Sequence, residues 1–130
     1  SQELADFAAE KRKELGPAFA IEWLIDNEPS GDPLIVDGVR HIEEVRELRA
    51  EYDDVTVIWT AAPFEIRYNR VVTRGREGEA EFSRDDFSER DKNELYNLGT
   101  QSLLDNNAPD ERIENDGSYE DLETAVQRIL

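Results

Sequence analysis

Four arginines within ten residues are the part of this sequence whose type and spacing most directly suggest chemistry. Arg67, Arg70 and Arg74 are three and four positions apart, so on a helix they share one face. Arg76 extends the set past Gly75. The planar guanidinium fork suits bidentate contact with phosphate, and a cluster of them can stabilise charge on a transferring phosphoryl group. The competing view is a solvated helix face balanced by Glu65, Glu77, Glu79 and Glu81. A second candidate is Asp37, followed by Gly38, directly after the apolar run Leu34-Ile35-Val36. A carboxylate there could orient a hydroxyl, act as a base, or hold Mg²⁺ through water, although Asp-Gly is also a common turn. Arg40 is close enough in sequence to pair with Asp37 or with a substrate phosphate. His41, the only histidine, falls at an expected helix start and reads as exposed rather than catalytic.

The elements expected to position these residues alternate between helices and strands. Two helices open the chain, one through Leu4, Phe7, Ala8 and Leu15, the next through Ala20, Ile21, Leu24 and Ile25, with Gly16-Pro17 between them. Asn27 to Pro33 reads as a loop. Leu34–Val36 reads as a strand buried on both faces. A helix follows with Ile42, Val45 and Leu48 inward and Glu43, Glu44 and Glu47 outward. Val55–Thr60 is β-branched and apolar, a strand stopped by Pro63, which suits the first turn of the arginine-bearing helix. Gly75 to Glu81 reads as a loop. Ser83 with Asp86, and Ser118 with Asp121, are helix-capping patterns. The first of these helices should end near Gly99, with a further helical turn within Thr100–Asn106. A very short strand is expected at Ile113, and the last helix should bury Leu122, Val126 and Ile129. Trp23 and Trp59 sit among apolar neighbours and are expected in the core. The order predicts an α/β fold, a parallel sheet flanked by helices in three layers. Ligands of such sheets bind at the carboxyl ends of the strands, here Asp37, Gly38, Arg40, Thr60, Ala61 and the Asn115–Gly117 turn.

Composition narrows the possible partners. The chain has 130 residues, room for one domain. Its 32 acidic residues outweigh 15 basic ones, 12 of them Arg, for a net charge of −17. That field opposes binding to nucleic acid or to an anionic membrane. No run approaches the length of a membrane span, and no stretch reads as a signal or transit peptide, so cytoplasm is the expected compartment. The acid excess suggests a halophilic, salt-adapted protein; an acidic surface imitating nucleic acid is the alternative. With no Cys, disulfides, zinc–thiolate sites and cysteine nucleophiles are excluded; one His and no Cys disfavour a transition-metal site, and no metal site is expected. No Ser-His-Asp constellation can be assembled, and the phosphate-loop motif G-x-x-x-x-G-K-[ST] does not occur.

The segments IVDGVRHIEEVRELR (35–49), APFEIRYNRVVTRGR (62–76), FSRDDFSERD (82–91) and IENDGSYEDLETAV (113–126) together resemble P-loop nucleotide kinases. The type is that of dephospho-coenzyme A kinase and deoxynucleoside monophosphate kinase, including archaeal members with an adenylate-kinase-like fold. The resemblance runs from about Ala5 to the C-terminus. It implies a kinase-like core over 1–74 and 108–130 and a lid-like region over 75–107. It implies that Asp37 orients the acceptor or the metal and that Arg40 binds acceptor phosphate. It also implies that Arg67, Arg70, Arg74 and Arg76 approach the phosphates on lid closure, and that Asn115 and Gly117 lie beside the nucleotide base. ATP and Mg²⁺ follow as cofactors. The first strand and P-loop of such kinases have no counterpart here, which implies a missing or separate N-terminal portion.

Three functions follow. One is the C-terminal part of an ATP-dependent kinase transferring a phosphoryl group to a small phosphorylated acceptor, with Asp37, Arg70 and Arg74 catalytic and Arg40, Arg67 and Arg76 binding substrate. This chain by itself would then be inactive. The second is a kinase-like binding or regulatory module that lacks the P-loop. The third is an acidic protein-interaction domain. An exposed sheet gap would also favour a homo-oligomer.

Overall fold

A computed structural model describes residues 2–28, 33–96 and 99–130. Positions 29–32 of the expected Asn27–Pro33 loop lie outside the described residues. The chain divides into two compact units, Ser1–Val55 with Leu98–Ala108, and Thr56–Asn97 with Pro109–Leu130.

The first unit is helical. α1 (Gln2–Leu15) ends where Gly16 takes a left-handed conformation, and α2 (Phe19–Asn27) packs on α3 (Ile42–Glu51). Ala18, Ile21, Ile42, Val45 and Leu48 form its core with Leu103 of α6 (Gln101–Asp105) and Ala108. α3 starts with a reciprocal cap. His41 Nδ1 accepts from the Glu43 N–H at 3.1 Å, while Glu44 Oε1 accepts from the Arg40 and His41 N–H groups at 3.1 and 3.0 Å. Glu44 is therefore buried, not outward as its position in the pattern implied. A Cβ on Gly99 would lie 2.6 Å from His41 Cδ2, so the cap requires glycine there. Ser102 Oγ ties the two helices by accepting from the Ile42 N–H at 3.0 Å.

Leu34–Val36 is not a strand. It belongs to a stretch without regular structure, and Ile35 is 82% exposed. Three apolar residues make a strand only where a neighbouring strand satisfies their backbone, and none does so among the described residues. Trp23 is likewise 65% exposed, outside the expected core.

The second unit contains the sheet. β1 (Ile58–Ala61) pairs in parallel with β2 (Glu111–Glu114), placing Ile58 opposite Glu111 and Thr60 opposite Ile113. Residues 55–57 lie outside the strand: the Val57 carbonyl receives the Asp110 and Glu111 N–H groups, and its own N–H donates to Asp110 Oδ2 at 2.8 Å. The expected three-layer sheet is thus represented by one parallel pair among the described residues, and the fold is α/β at that level.

α4 (Phe64–Arg74) begins after Pro63 and ends at Gly75, whose φ of +59° closes the helix with its N–H on the Val71 carbonyl. A short 3₁₀ turn (Glu79–Glu81) precedes α5 (Arg84–Tyr96). Positions 97–98, just before the expected helix end at Gly99, lie outside the described residues. Both capping patterns form. The Ser83 N–H donates to Asp86 Oδ2 and the Asp86 N–H to Ser83 Oγ, and Ser118 and Asp121 repeat this at the start of α7 (Tyr119–Ile129). The Ser118 backbone N–H and hydroxyl hold the Asp121 carboxyl below its usual range. Leu122, Val126 and Ile129 are half-buried rather than buried. No helix among the described residues is long and apolar enough to cross a membrane.

Candidate functional site

Two helices of the second unit present side chains at the same spacing. α4 supplies Arg67, Arg70, Val71 and Arg74, and α5 supplies Phe87, Arg90, Asp91 and Glu94. Both sets follow i, i+3, i+4, i+7, the rows that meet when two helices face each other. Between them lies an open cleft of about 320 Å³. Val71 and the buried Phe87 give it an apolar contribution; its remaining walls are charged.

The packing beneath the cleft is aromatic. The Phe87 ring lies 5.2 Å from Phe64 and 5.8 Å from Tyr68, centroid to centroid. The Tyr68 hydroxyl donates to the Phe82 carbonyl at 2.8 Å. The Arg67 guanidinium lies 5.9 and 5.8 Å from the Phe64 and Phe87 ring centres, and Arg84 lies over Phe64 and Tyr68.

Each arginine of the cleft has a different engagement. Arg67 forks onto Asp91, with Nη1 on Oδ1 and Nη2 on Oδ2 at 3.0 Å, and its Nε donates to the Ala62 carbonyl at 2.9 Å. It is a brace between α4 and α5. Arg74 forks onto Glu79, at 2.9 and 2.5 Å. Arg90 lies 3.4 Å from the same carboxylate and 3.6 Å from Glu94. Arg70 is different: Nη1 donates to the Asn115 carbonyl at 2.6 Å and Nη2 to the Gly117 carbonyl at 3.4 Å. Among the described residues, no carboxylate pairs with it.

Glu79 is the least exposed charged side chain of this unit, 7% accessible. Besides Arg74 and Arg90 it accepts the Arg76 N–H at 3.2 Å. The Arg74 fork above all, opposed by desolvation and aided by Arg90 and the Arg76 N–H, holds its carboxyl down to about 2 against a usual 4.5. A depressed acid stabilises the fold above its unfolded pKa and ceases to do so as pH falls through its folded one. The stability difference between wild type and Glu79→Gln should therefore stay constant above about 4.5 and vanish as pH approaches 2. Thermal melts of both proteins across that range check this; a difference that persists at the acid end would contradict it.

The sequence-derived candidates divide between the units. Arg67, Arg70 and Arg74 come together with Asn115 and Gly117 in the second, joined through Arg70. Arg76 contributes its backbone N–H, with its side chain exposed. Asp37 and Arg40 are exposed residues of the first unit and do not line the cleft. With no strand before it, Asp37 loses the strand-end position that made it a candidate. Arg90, Asp91 and Glu94 were missed. The signal for them was present, since Phe87, Arg90, Asp91 and Glu94 repeat the spacing of Arg67, Arg70, Val71 and Arg74 on the next helix. Among the described residues, no group of three or more His, Cys, Asp or Glu is arranged to hold a metal ion.

Comparison with known proteins corrects the kinase resemblance. No family model matches the chain. A UPF0200 protein of Pyrobaculum aerophilum is 33% identical over 124 residues, covering 95% of this chain and 69% of that protein. A UPF0200/UPF0201 protein of Archaeoglobus fulgidus is 33% identical over 98 residues, covering 75% of this chain and 29% of that protein. A UPF0200 protein of Thermococcus onnurineus is 27% identical over 136 residues, covering 99% of this chain and 71% of that protein. The chain thus spans less than a third of the Archaeoglobus relative and about seven-tenths of the other two. None of these names is that of a dephospho-coenzyme A kinase or an adenylate-kinase-like enzyme. The assignment to that group is withdrawn, and with it the missing P-loop portion, which was inferred from the resemblance.

Proposed function

This chain belongs to the UPF0200 family, a name that states no activity, and we propose from the cleft itself that the second unit is a binding module for a small phosphorylated ligand. The observation that carries this reading is the state of Arg70. It is exposed, it lines the cleft, and its guanidinium is held in place by two main-chain carbonyls while its charge meets no carboxylate among the described residues. A pre-oriented guanidinium loses little freedom on binding, which favours it as the anion contact.

Local charge supports the same reading. Arg67, Arg70, Arg74 and Arg90 face the carboxylates of Asp91, Glu94 and Glu79, leaving one positive charge in excess. In a chain of net charge −17, that is a local inversion of sign. Val71 and Phe87 add an apolar surface that strengthens each charged contact beside it. The kinase-like form of the binding module falls with the withdrawn resemblance; the arginines by their own chemistry support anion binding. ATP and Mg²⁺ rested on that resemblance.

Titration calorimetry of the whole chain with inorganic pyrophosphate, in moderate KCl, tests the proposal. Removing one charge-assisted pair costs about 1.5–3 kcal/mol, so Arg70→Ala should weaken binding by about ten- to a hundredfold. Arg128→Ala, on α7 and outside the cleft, should leave binding unchanged. Equal affinity in wild type and a folded Arg70→Ala would refute the reading, as would the absence of binding to the wild type.

A further inference from the structure

Glu79 is a buried carboxylate that the binding reading leaves without a role. Its surroundings have the make-up of an anion site: the Arg74 fork at 2.9 and 2.5 Å, Arg90 at 3.4 Å, and a backbone N–H from Arg76 at 3.2 Å. Two of those groups, Arg74 and Arg90, also line the cleft. The carboxylate fills this niche from a segment built to turn. Gly75 and Gly78 bracket Arg76 and Glu77, both at positive φ, +59° and +76°. A Cβ at Gly78 would meet nothing within 4 Å, so the space around that end of the segment is open.

We infer that Glu79 is a tethered stand-in for a phosphate, occupying from within the chain an anion niche formed by Arg74, Arg90 and the Arg76 N–H. When a turn at Gly78, beyond Arg76, withdraws the carboxylate, a phosphate of the cleft ligand replaces it. Arg70 and Arg74 are one helical turn apart on the same face and both line the cleft, so a single ligand with two linked phosphates can engage both. The ligand class is therefore a diphosphate, with one phosphate at Arg70 and the other in the niche. The phosphate at Arg70 rests on the binding reading above; the niche itself does not. The exchange also sets affinity, because the ligand must displace an anion that is always present.

Replacing Glu79 with alanine empties the niche, and inorganic phosphate is the probe that refills it. Thermal unfolding of the whole chain is followed with added phosphate and with KCl of equal ionic strength. In Glu79→Ala, phosphate at about 20 mM should raise Tm by about 5 °C beyond the KCl control, against about 1 °C or less in wild type. Adding Arg74→Ala to Glu79→Ala should abolish the extra rise. The wild-type comparison removes the general stabilising effect of phosphate as a salt. Should Glu79→Ala be unfolded in KCl, recovery of its helical circular dichroism with phosphate supports the niche, and failure to recover overturns it. Equal phosphate responses in the variant and in wild type also overturn it. Because this readout does not use Arg70, its failure is separate from failure of the cleft reading, which Arg70→Ala and pyrophosphate decide. Pyrophosphate affinity should rise about tenfold in Glu79→Gln, since the amide is a weaker competitor than the carboxylate; an unchanged or lower affinity in that variant counts against the exchange.

Discussion

Phe87→Ala will destabilise the second unit by about 3–5 kcal/mol, the usual cost of deleting a buried aromatic ring. Phe87 is 6% exposed and sits where α4 and α5 meet, against Phe64, Tyr68 and the Arg67 guanidinium. Few other residues of this unit share that load: Ile113 is the other hydrophobic buried to this degree among its described residues. A loss of that size is a large part of the roughly 5–15 kcal/mol that stabilises a domain. Phe87→Leu retains most of the volume and should cost less than about 1.5 kcal/mol. The tryptophans allow the effect to be located. Trp59, half-buried, lies in β1 of the second unit, and Trp23, exposed, lies in α2 of the first. Urea unfolding read by Trp59 fluorescence in a Trp23→Phe background should show a midpoint lowered sharply by Phe87→Ala. A shift of less than about 1 kcal/mol would mean that the ring does not hold the two helices together.

The helix termini were the most legible part of this fold. Ser83 with Asp86, Ser118 with Asp121, Pro63 and Gly75 each mark a boundary through a local hydrogen bond or a backbone preference, and each appears in the structure. Such signals involve residues within four positions of each other and need no tertiary context. Strands were less legible for the opposite reason. Ile113 became a strand because Thr60 lies beside it, although Glu111–Glu114 is mostly charged, and the wholly apolar Leu34–Val36 did not because no strand does among the described residues; apolar composition alone points the wrong way. Burial failed in the same way at Trp23, whose neighbours in sequence are apolar while its position on α2 is outward.

The site was legible as a set of arginines and illegible as a set of roles. Spacing placed Arg67, Arg70 and Arg74 on one face. It could not show that Arg67 is occupied by Asp91 and Arg74 by Glu79 while Arg70 meets only carbonyls, because those partners are 24, 5 and 45 or more positions away. Of the four nearby acids expected to balance the arginines, one is seen to pair with the set. Glu79 does pair with Arg74, but Glu65 pairs with Arg84 instead.

Raising KCl from about 0.1 M to 1 M should stabilise the chain by a few kcal/mol, a rise in Tm of about 10 °C. Two unit charges 20 Å apart in water repel by about 0.2 kcal/mol, and a Debye length of about 10 Å reduces this to a few hundredths. Seventeen excess negative charges form on the order of a hundred such pairs, so a few kcal/mol of repulsion remains at the lower salt and almost none at the higher. Screening also weakens the ion pairs. Arg67–Asp91 and Arg84–Glu65 are partly or largely exposed, however, and such pairs are worth at most about 1 kcal/mol each. Relief of repulsion therefore outweighs their loss, and thermal melts across a KCl series should slope upward; a flat or falling series would show that the acid excess is neutralised locally. Salt acts oppositely on the cleft, where chloride and screening both compete with a phosphate at Arg70. Ligand affinity should fall over the same range in which stability rises, so occupancy is greatest at the lowest salt that keeps the second unit folded. A ligand whose affinity rose with KCl would be held by apolar contact with Val71 and Phe87 rather than by the arginines.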